Sequence, residues 1–258
     1  MKNDLTNLFL KLITQLIIVL FSTSSFSAPE YHFECEKFFP SSLYAPVVKN
    51  CNSTHVIGNN LNPSAMSKTD INNQLFQDTQ LNNNLGGIKV VFNSTTSKVI
   101  YRSAYLAMSP MCIQSLAQNN VKTIINLYSG DLGYAESLLP LEKDIALSNG
   151  VEDYINIEGY MVNALKLSNE ALNQKISSIL RAIETAKGNV LIHCYTGEHD
   201  TGVIFGILNK CYNHLPLDSI NNNLMCHMET KSAYGKKTTA RAIQIIKAYP
   251  CSSSSGTS

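Results

Sequence analysis

Tryptophan is absent from this 258-residue chain, and charged side chains make up only 15% of it, with a formal net charge of +1. A chain without a basic excess has no general attraction to nucleic acid or to an anionic membrane. No Cys-x-x-Cys pair occurs, and His227 beside Cys226 is an isolated pair. We therefore expect no nucleic-acid partner, no zinc site and no cofactor.

A hydrophobic run long enough to cross a bilayer is also absent near the N-terminus. Residues 12–21 are largely apolar but number only 10, whereas a spanning helix needs ~20. Lys2 and Lys11 precede or begin this run, and small polar residues follow it up to Ser27. This pattern predicts a signal peptide over residues 1–27, cleavage near Ala28, and a secreted or periplasmic protein without a membrane span in the mature chain. An ordinary N-terminal helix is the alternative.

Cysteine is plentiful, with seven residues, all of which follow the predicted signal peptide. In an oxidising compartment six of them can form three disulfides and leave one thiol free. Cys35 with Cys51 and Cys211 with Cys226 are close enough in sequence to be plausible pairs, but the sequence does not fix the connectivity. A set of reduced, buried thiols is the alternative. Cys194 is expected to be the free thiol, because of the loop in which it lies, and the remaining cysteines are Cys112 and Cys251.

The order of patterns along the chain predicts an α/β fold. Prolines and the Asn-rich residues 72–84 favour an irregular N-terminal extension over residues 28–97. Strands and helices alternate from about residue 88, beginning with short strands at residues 88–92 and 99–101. Residues 98–250 are expected to form the main domain, with a mainly parallel central sheet flanked by helices. Residues 251–258 are expected to form a polar, mobile tail. The helices are expected at about residues 111–118, 135–148, 168–187, 202–212, 219–231 and 238–249.

Residues 190–202 carry the clearest chemical pattern. A hydrophobic strand leads into His193-Cys194, a turn with Gly197 follows, and Thr201-Gly202 begins an apolar helix. In parallel α/β sheets the functional loop lies beyond the carboxyl end of a central strand. Backbone N–H groups at such a loop and at the following helix N-terminus bind anions and favour a thiolate. The pattern therefore indicates a cysteine nucleophile in a phosphate-binding loop.

With this loop, the order of segments 99–103, 121–127 and 154–157 resembles the cysteine-dependent protein tyrosine and dual-specificity phosphatases. The resemblance covers roughly residues 98–250 and implies a phosphatase-like fold. It implies Cys194 as the nucleophile, Thr201 as the hydrogen-bond partner of the leaving thiolate, and a phosphorylated protein or small phosphomonoester as the substrate. His193 orients the loop from behind in this family. The substrate-binding positions implied are His193, Tyr195, Thr196, Gly197, Glu198, His199, Asp200 and Arg102.

One position departs from the family pattern. Asp200 stands where the family has an arginine that holds two phosphate oxygens, and Glu198 adds a second carboxylate. Like charges ~4 Å apart repel by ~1 kcal/mol in water and by several times more in a shielded site. Nearby carboxylates would also raise the pKa of Cys194. Substitute cations are Arg102, Arg241 and, at low pH, His199.

The general acid is the second feature in which the chain departs from the family pattern. The family uses an aspartate before the long helix, but Glu158 is the only carboxylate between residues 157 and 168, and Asp131 is a weaker candidate. Two hypotheses remain open. The chain is either an exported hydrolase of phosphotyrosine, phosphoserine/threonine or inositol phosphate whose activity is weak or lost, or an inactive pseudophosphatase that acts as a binding module. A weaker third hypothesis is that a metal or a cationic group is bound by the side chains of His193, Cys194, Glu198, His199 and Asp200.

Overall fold

The centre of the molecule is a five-stranded, mostly parallel sheet. The strand order is β1-β2-β5-β3-β4, with β1 antiparallel to β2 and the other pairs parallel. This arrangement confirms the expected fold class. The strands are β1 (Gly86–Val91), β2 (Ser97–Ser103), β3 (Val121–Asn126), β4 (Asp153–Asn156) and β5 (Asn189–His193).

The computed structural model describes residues 47, 50, 51, 58, 60–128, 139–159, 161, 162 and 167–251. All of them belong to one compact unit, Phe33–Ser258. The predicted signal peptide, Asp131 and residues 252–258 lie outside the described residues. Within the described part, no helix is both long enough and apolar enough to cross a membrane.

Helices cover both faces of the sheet. Their bounds are α1 (Lys68–Leu81), α2 (Pro110–Gln118), α3 (Leu139–Ser148), α4 (Asn169–Thr185), α5 (His199–Cys211), α6 (Leu217–Met225) and α7 (Ala233–Ala248). Successive strand residues point to opposite faces. Ile192 accordingly packs in the core beneath α4, α5 and α7, while Leu191 packs in the core with α2 and α3.

Helix α4 follows the sequence prediction closely. Its N-cap residue, Ser168, accepts a hydrogen bond from the Ala171 amide, as serine does at helix starts. The apolar residues that recur at helical spacing in this segment are buried against the sheet. They are Leu172, Ile176, Ile179, Leu180 and Ile183.

The Asn-rich segment before β1 is not irregular, as the sequence had suggested. Residues 68–81 form helix α1, which begins with a reciprocal capping box between Ser67 and Asp70. The next residues, 82–84, are buried rather than exposed in a loop. The irregular reading was wrong because few apolar residues mark the helix, so the apolar spacing gave little signal. Strand β1, within the predicted extension, pairs with β2 in the main sheet.

The ends of the last helices also differ from the expectation. Helix α6 ends at Met225, and residues 226–232 form a connection to α7. Helix α7 begins at Ala233 because its N-cap residue, Ser232, accepts a hydrogen bond from the Gly235 amide. This connection matters because it contacts the cysteine loop.

The structure contains disulfides, as the sequence predicted, but they do not join the expected local pairs. Cys51 bonds Cys112 across 61 residues, and Cys211 bonds Cys251 across 40. Cys226 is also disulfide-bonded. The local pairs were wrong because the fold brings distant segments together: Cys51 packs against α2, and Cys251 follows the helix that packs beside α5. Cys251 is therefore tied to the fold rather than part of a free tail.

Candidate functional site

The cysteine loop lies between the central strand and helix α5. Strand β5 ends at His193 and α5 begins at His199, so Cys194 follows the carboxyl end of the middle strand of the sheet. Gly197 has φ +74°, and a Cβ there would lie 2.3 Å from the Ser103 carbonyl oxygen. Only glycine satisfies both the backbone conformation and this close approach to β2.

Cys194 is the one free cysteine among the described residues, as the sequence predicted, and its side chain is buried. Burial raises its pKa, and the negative charge of Asp200 raises it further. The Thr201 hydroxyl and the amides of Thr201 and Gly197 lower it, but they do not compensate. The loop thus keeps thiolate-stabilising groups, yet the thiol form dominates near neutral pH.

Asp200 is hydrogen-bonded to the backbone of the segment that follows β4. Its Oδ1 accepts hydrogen bonds from the backbone amides of Met161 (2.9 Å) and Val162 (3.1 Å). A Cβ on Gly159 would lie 2.7 Å from Asp200 Oδ2 and 2.8 Å from the Leu127 carbonyl oxygen. The absence of a side chain at Gly159 therefore lets the segment approach the carboxylate. Asp200 thus holds Met161 and Val162 close to the start of α5.

The residues that Asp200 holds belong to the same apolar core cluster as the cysteine. Met161 and Val162 are buried in the cluster that also contains Cys194 and Val203. In the resembled family this segment, between β4 and the long helix, is where the general acid lies. Here it is held by a carboxylate from the cysteine loop itself. The aspartate at residue 200 therefore joins the start of α5 to Met161 and Val162.

Glu198 is also committed to the backbone, on the opposite side of the loop. Its side chain is buried, and Oε2 accepts a hydrogen bond of 2.7 Å from the Glu229 amide. Burial raises the pKa of Glu198 to about 8, with a smaller contribution from the charge of Glu229, against the lowering effect of the Glu229 amide, Thr196 and Arg102. Glu198 is thus largely protonated and does not make the loop an acidic pocket.

Replacing Glu198 with Gln should flatten the dependence of stability on pH. Between its ordinary pKa of 4.5 and about 8, the folded protein holds a proton on Glu198 that the unfolded chain has released. The stabilisation is therefore complete below pH 4.5 and is lost as the pH rises to about 8. Urea unfolding across this range measures the slope. Glu170→Gln, an exposed carboxylate on α4, is the control, and an unchanged slope in Glu198→Gln would contradict the prediction.

Arg102 lies beneath the loop rather than facing a substrate. Its side chain is fully buried, Nη2 donates to the Gly197 carbonyl at 2.5 Å, and its guanidinium carbon lies 5.1 Å from the centre of the Phe205 ring. Nε and Nη1 have no hydrogen-bond partner among the described groups. Burial lowers its pKa to about 9, opposed by Cys194 and Glu198. Arg102 is thus a buried cation that supports the loop from below.

His193 forms the other support of the loop. Its Nδ1 lies 3.1 Å from the Cys194 carbonyl oxygen and its Nε2 lies 3.1 Å from Oε2 of the fully buried Glu142. Burial alone lowers the pKa of His193, but the Glu142 carboxylate and the Cys194 carbonyl together raise it. Glu142 also accepts hydrogen bonds from the Leu106 amide (2.6 Å) and the Tyr154 hydroxyl (2.5 Å).

The other loop residues have mainly structural contacts. Tyr195 packs with Phe76 and Tyr128 in an aromatic cluster. The Thr196 carbonyl accepts a hydrogen bond of 3.0 Å from Asn84 Nδ2. His199 is held by Thr238, and burial lowers its pKa to about 4, so it supplies no positive charge at neutral pH.

The general-acid candidate is not brought into the buried site. Glu158 is exposed, and its carbonyl oxygen accepts a hydrogen bond from Lys175 Nζ. Its position before Gly159 places it beside the segment that Asp200 holds. Arg241 lies in α7, three residues after Thr238, and makes no ion pair with any described residue.

The sequence did not indicate three residues that hold the loop, or His227, which contacts one of the three. Glu142 holds His193, and Asn84 holds the Thr196 carbonyl. Asn84 Oδ1 also lies 2.8 Å from His227 Nδ1. Glu229 donates its amide to Glu198. No local pattern marks any of them, because each acts on the loop from a distant segment. Asn84 sits in an Asn triplet whose composition suggested only a turn.

Comparisons with known proteins agree with the fold but at low similarity. No family model matches the chain, and no curated protein does. Among solved structures, the core catalytic domain of the PP-IP phosphatase SIW14 from S. cerevisiae is 19% identical, covering 58% of this chain and 80% of that one, with a TM-score of 0.42. TpbA from P. aeruginosa is 14% identical, with coverage of 59% and 81% and a TM-score of 0.41.

A kinase associated phosphatase is also similar, at 9% identity, with coverage of 63% of this chain and 92% of that one and a TM-score of 0.42. The likeness concerns the fold alone. What this chain binds or hydrolyses has to be argued from its own residues.

Proposed function

We propose that this chain is an exported, phosphatase-fold pseudophosphatase, a protein that acts as a binding module and does not hydrolyse phosphomonoesters at a useful rate. One observation carries the proposal. Asp200 replaces the arginine expected of a phosphate loop, and its carboxylate is occupied by the amides of Met161 and Val162. A phosphate would meet a negative charge at the position where the transition state needs a bidentate cation.

The state of the nucleophile supports the same conclusion. Cys194 is buried in an apolar cluster, and its pKa is raised by burial and by Asp200. Little thiolate is then present near neutral pH. Loss of one preorganised donor alone costs ~10²–10³ in rate, and these effects add to that loss.

A weakly active hydrolase of phosphotyrosine, phosphoserine/threonine or inositol phosphate is the second candidate. It is favoured by the groups that still stabilise a thiolate, namely the Thr201 hydroxyl and the amides of Thr201 and Gly197. Arg102 lies too deep to replace the missing arginine without movement of the loop. We therefore place this candidate second.

Export is supported by two features. The N-terminal residues 1–27 have the pattern of a signal peptide. The Cys51–Cys112 and Cys211–Cys251 disulfides belong to oxidising compartments such as the periplasm or the extracellular space. Expression with the N-terminal segment, followed by N-terminal sequencing of the exported protein, tests this part. An intact Met1 on protein retained in the cytoplasm would contradict it.

The catalytic question is tested by hydrolysis of a generic aryl phosphate. We expect the parent protein to release product no faster than Cys194→Ser. Asp200→Arg supplies the missing charge but removes both bonds to residues 161 and 162, so we expect it to remain inactive as well. Hydrolysis by the parent that Cys194→Ser abolishes would overturn the proposal. Activity gained only in Asp200→Arg would show that charge alone had been lost.

A further inference from the structure

The C-terminal part of the chain has an uneven charge. From residue 219 to residue 251 it contains five basic residues and one acidic residue, Glu229. Glu229 is buried, and its carboxylate accepts hydrogen bonds from the Lys231 and Ser232 amides and from the Ser232 hydroxyl. This segment therefore offers no exposed acidic side chain of its own to balance its lysines.

The exposed positive charge is concentrated at the start of α7. Lys231, Tyr234, Lys236 and Lys237, here called the α7 basic surface, are all exposed, with Tyr234 at 52%. Lys236 and Lys237 form no ion pair with any described residue. An exposed aromatic ring close to two lysines that form no ion pair with any described residue is a composition that suits an anionic partner.

This surface is built onto the cysteine loop. His199, the first residue of α5, has Nε2 2.8 Å from the Thr238 hydroxyl, and its ring packs edge-on against Tyr234 at 5.8 Å. Glu198 binds the Glu229 amide, and Glu229 in turn binds Ser232, the N-cap of α7. Two residues of the loop thus fix the position of the α7 basic surface.

We propose that the α7 basic surface binds an acidic segment of a protein partner, with the cysteine loop serving as its support. Lysines are flexible point charges that suit scattered carboxylates, whereas phosphate and nucleic-acid recognition favours arginine forks. Anionic membranes are bound by clusters of ~4–8 basic residues, more than this surface presents. Tyr234 supplies apolar contact area and a hydroxyl. The proposal rests on the binding role proposed above and names the chemistry of the partner.

The test uses the full mature chain and a fluorescein-labelled peptide of Glu and Phe that carries no phosphate, followed by fluorescence anisotropy. We expect binding that weakens between ~0.01 M and ~1 M salt, since the screening length falls from ~30 Å to ~3 Å. The double variant Lys236→Glu/Lys237→Glu should reduce the affinity by roughly tenfold, since it turns two attractions to the peptide carboxylates into two repulsions. Tyr234→Ala should reduce it severalfold.

Lys68→Glu/Lys89→Glu is the matched control, because it makes the same charge change at exposed lysines on α1 and β1. It should retain the parent affinity. If both double variants lost the same affinity for the peptide, the net charge of the protein would explain the binding, and the proposal would be overturned. So would the absence of peptide binding, or binding confined to phosphatidylserine vesicles. Because the peptide has no phosphate, hydrolytic activity in the parent would defeat the proposed pseudophosphatase role without changing this result.

Discussion

Replacing Glu142 with Ala should lower the free energy of unfolding by about 3–5 kcal/mol, because removal of one partner of a buried ion pair leaves the other charge uncompensated. Glu142 is fully buried and contacts His193 at 3.1 Å. It also accepts hydrogen bonds from the Leu106 amide and the Tyr154 hydroxyl. Alanine would leave all three donors without their acceptor. Urea denaturation followed by circular dichroism measures the change.

The control for this prediction is Glu152→Ala. Glu152 pairs with Lys122 at 3.6 Å and with Lys187 at 3.3 Å, but these side chains are partly exposed. Such pairs contribute about 0–1 kcal/mol. Glu142→Gln, which keeps an acceptor oxygen without the charge, should fall between the two. If Glu142→Ala cost no more than Glu152→Ala, the buried pair behind the cysteine loop would not be a main support of the fold.

The second large effect is expected for Gly197→Ala. Its φ of +74° costs a residue with a side chain ~1–2 kcal/mol, and the added Cβ would lie 2.3 Å from the Ser103 carbonyl oxygen. That oxygen belongs to the backbone of β2, so it cannot turn away as a flexible side chain would. Overpacking of this kind costs a further ~1–3 kcal/mol. The variant should therefore be destabilised by ~2–5 kcal/mol in total.

Gly150→Ala separates the two contributions to this effect. Gly150 has φ +92°, and a Cβ there meets no atom within 4 Å. It should lose only the conformational part, ~1–2 kcal/mol. Thermal or urea unfolding of both variants gives the difference. Equal destabilisation at the two positions would mean that β2 can move away from the loop, and that the loop is less tightly held than its contacts indicate.

Much of the fold could be predicted from the sequence, since its signals were local. The β-branched run at β3 and the apolar face of α4 both indicate their elements directly. Helix α1 was missed because it depends on caps such as Ser67 and on tertiary contacts rather than on a strong apolar face. The disulfides were mispaired because sequence distance says little once Cys51 packs against α2.

The position of the candidate site could be predicted from the sequence, but the hydrogen-bond partners of its side chains could not. The strand, Cys194 and Gly197 located the loop because each has a local signature. Glu198 and Asp200 were taken together as an acidic pocket, since a sequence gives residue types without directions. In the fold, Glu198 turns under the loop to the Glu229 amide, and Asp200 turns to Met161 and Val162. Side-chain direction here depends on segments about 30 to 40 residues away.

The two bonds from Asp200 also limit which side chains residue 200 can accept. An arginine there would leave the amides of both Met161 and Val162 without their acceptor. Gly159 adds to this constraint, because even a Cβ at that position would lie 2.7 Å from Asp200 Oδ2, which leaves little room for a longer side chain. A phosphate-binding arginine at residue 200 would therefore need coordinated changes in two segments of the chain.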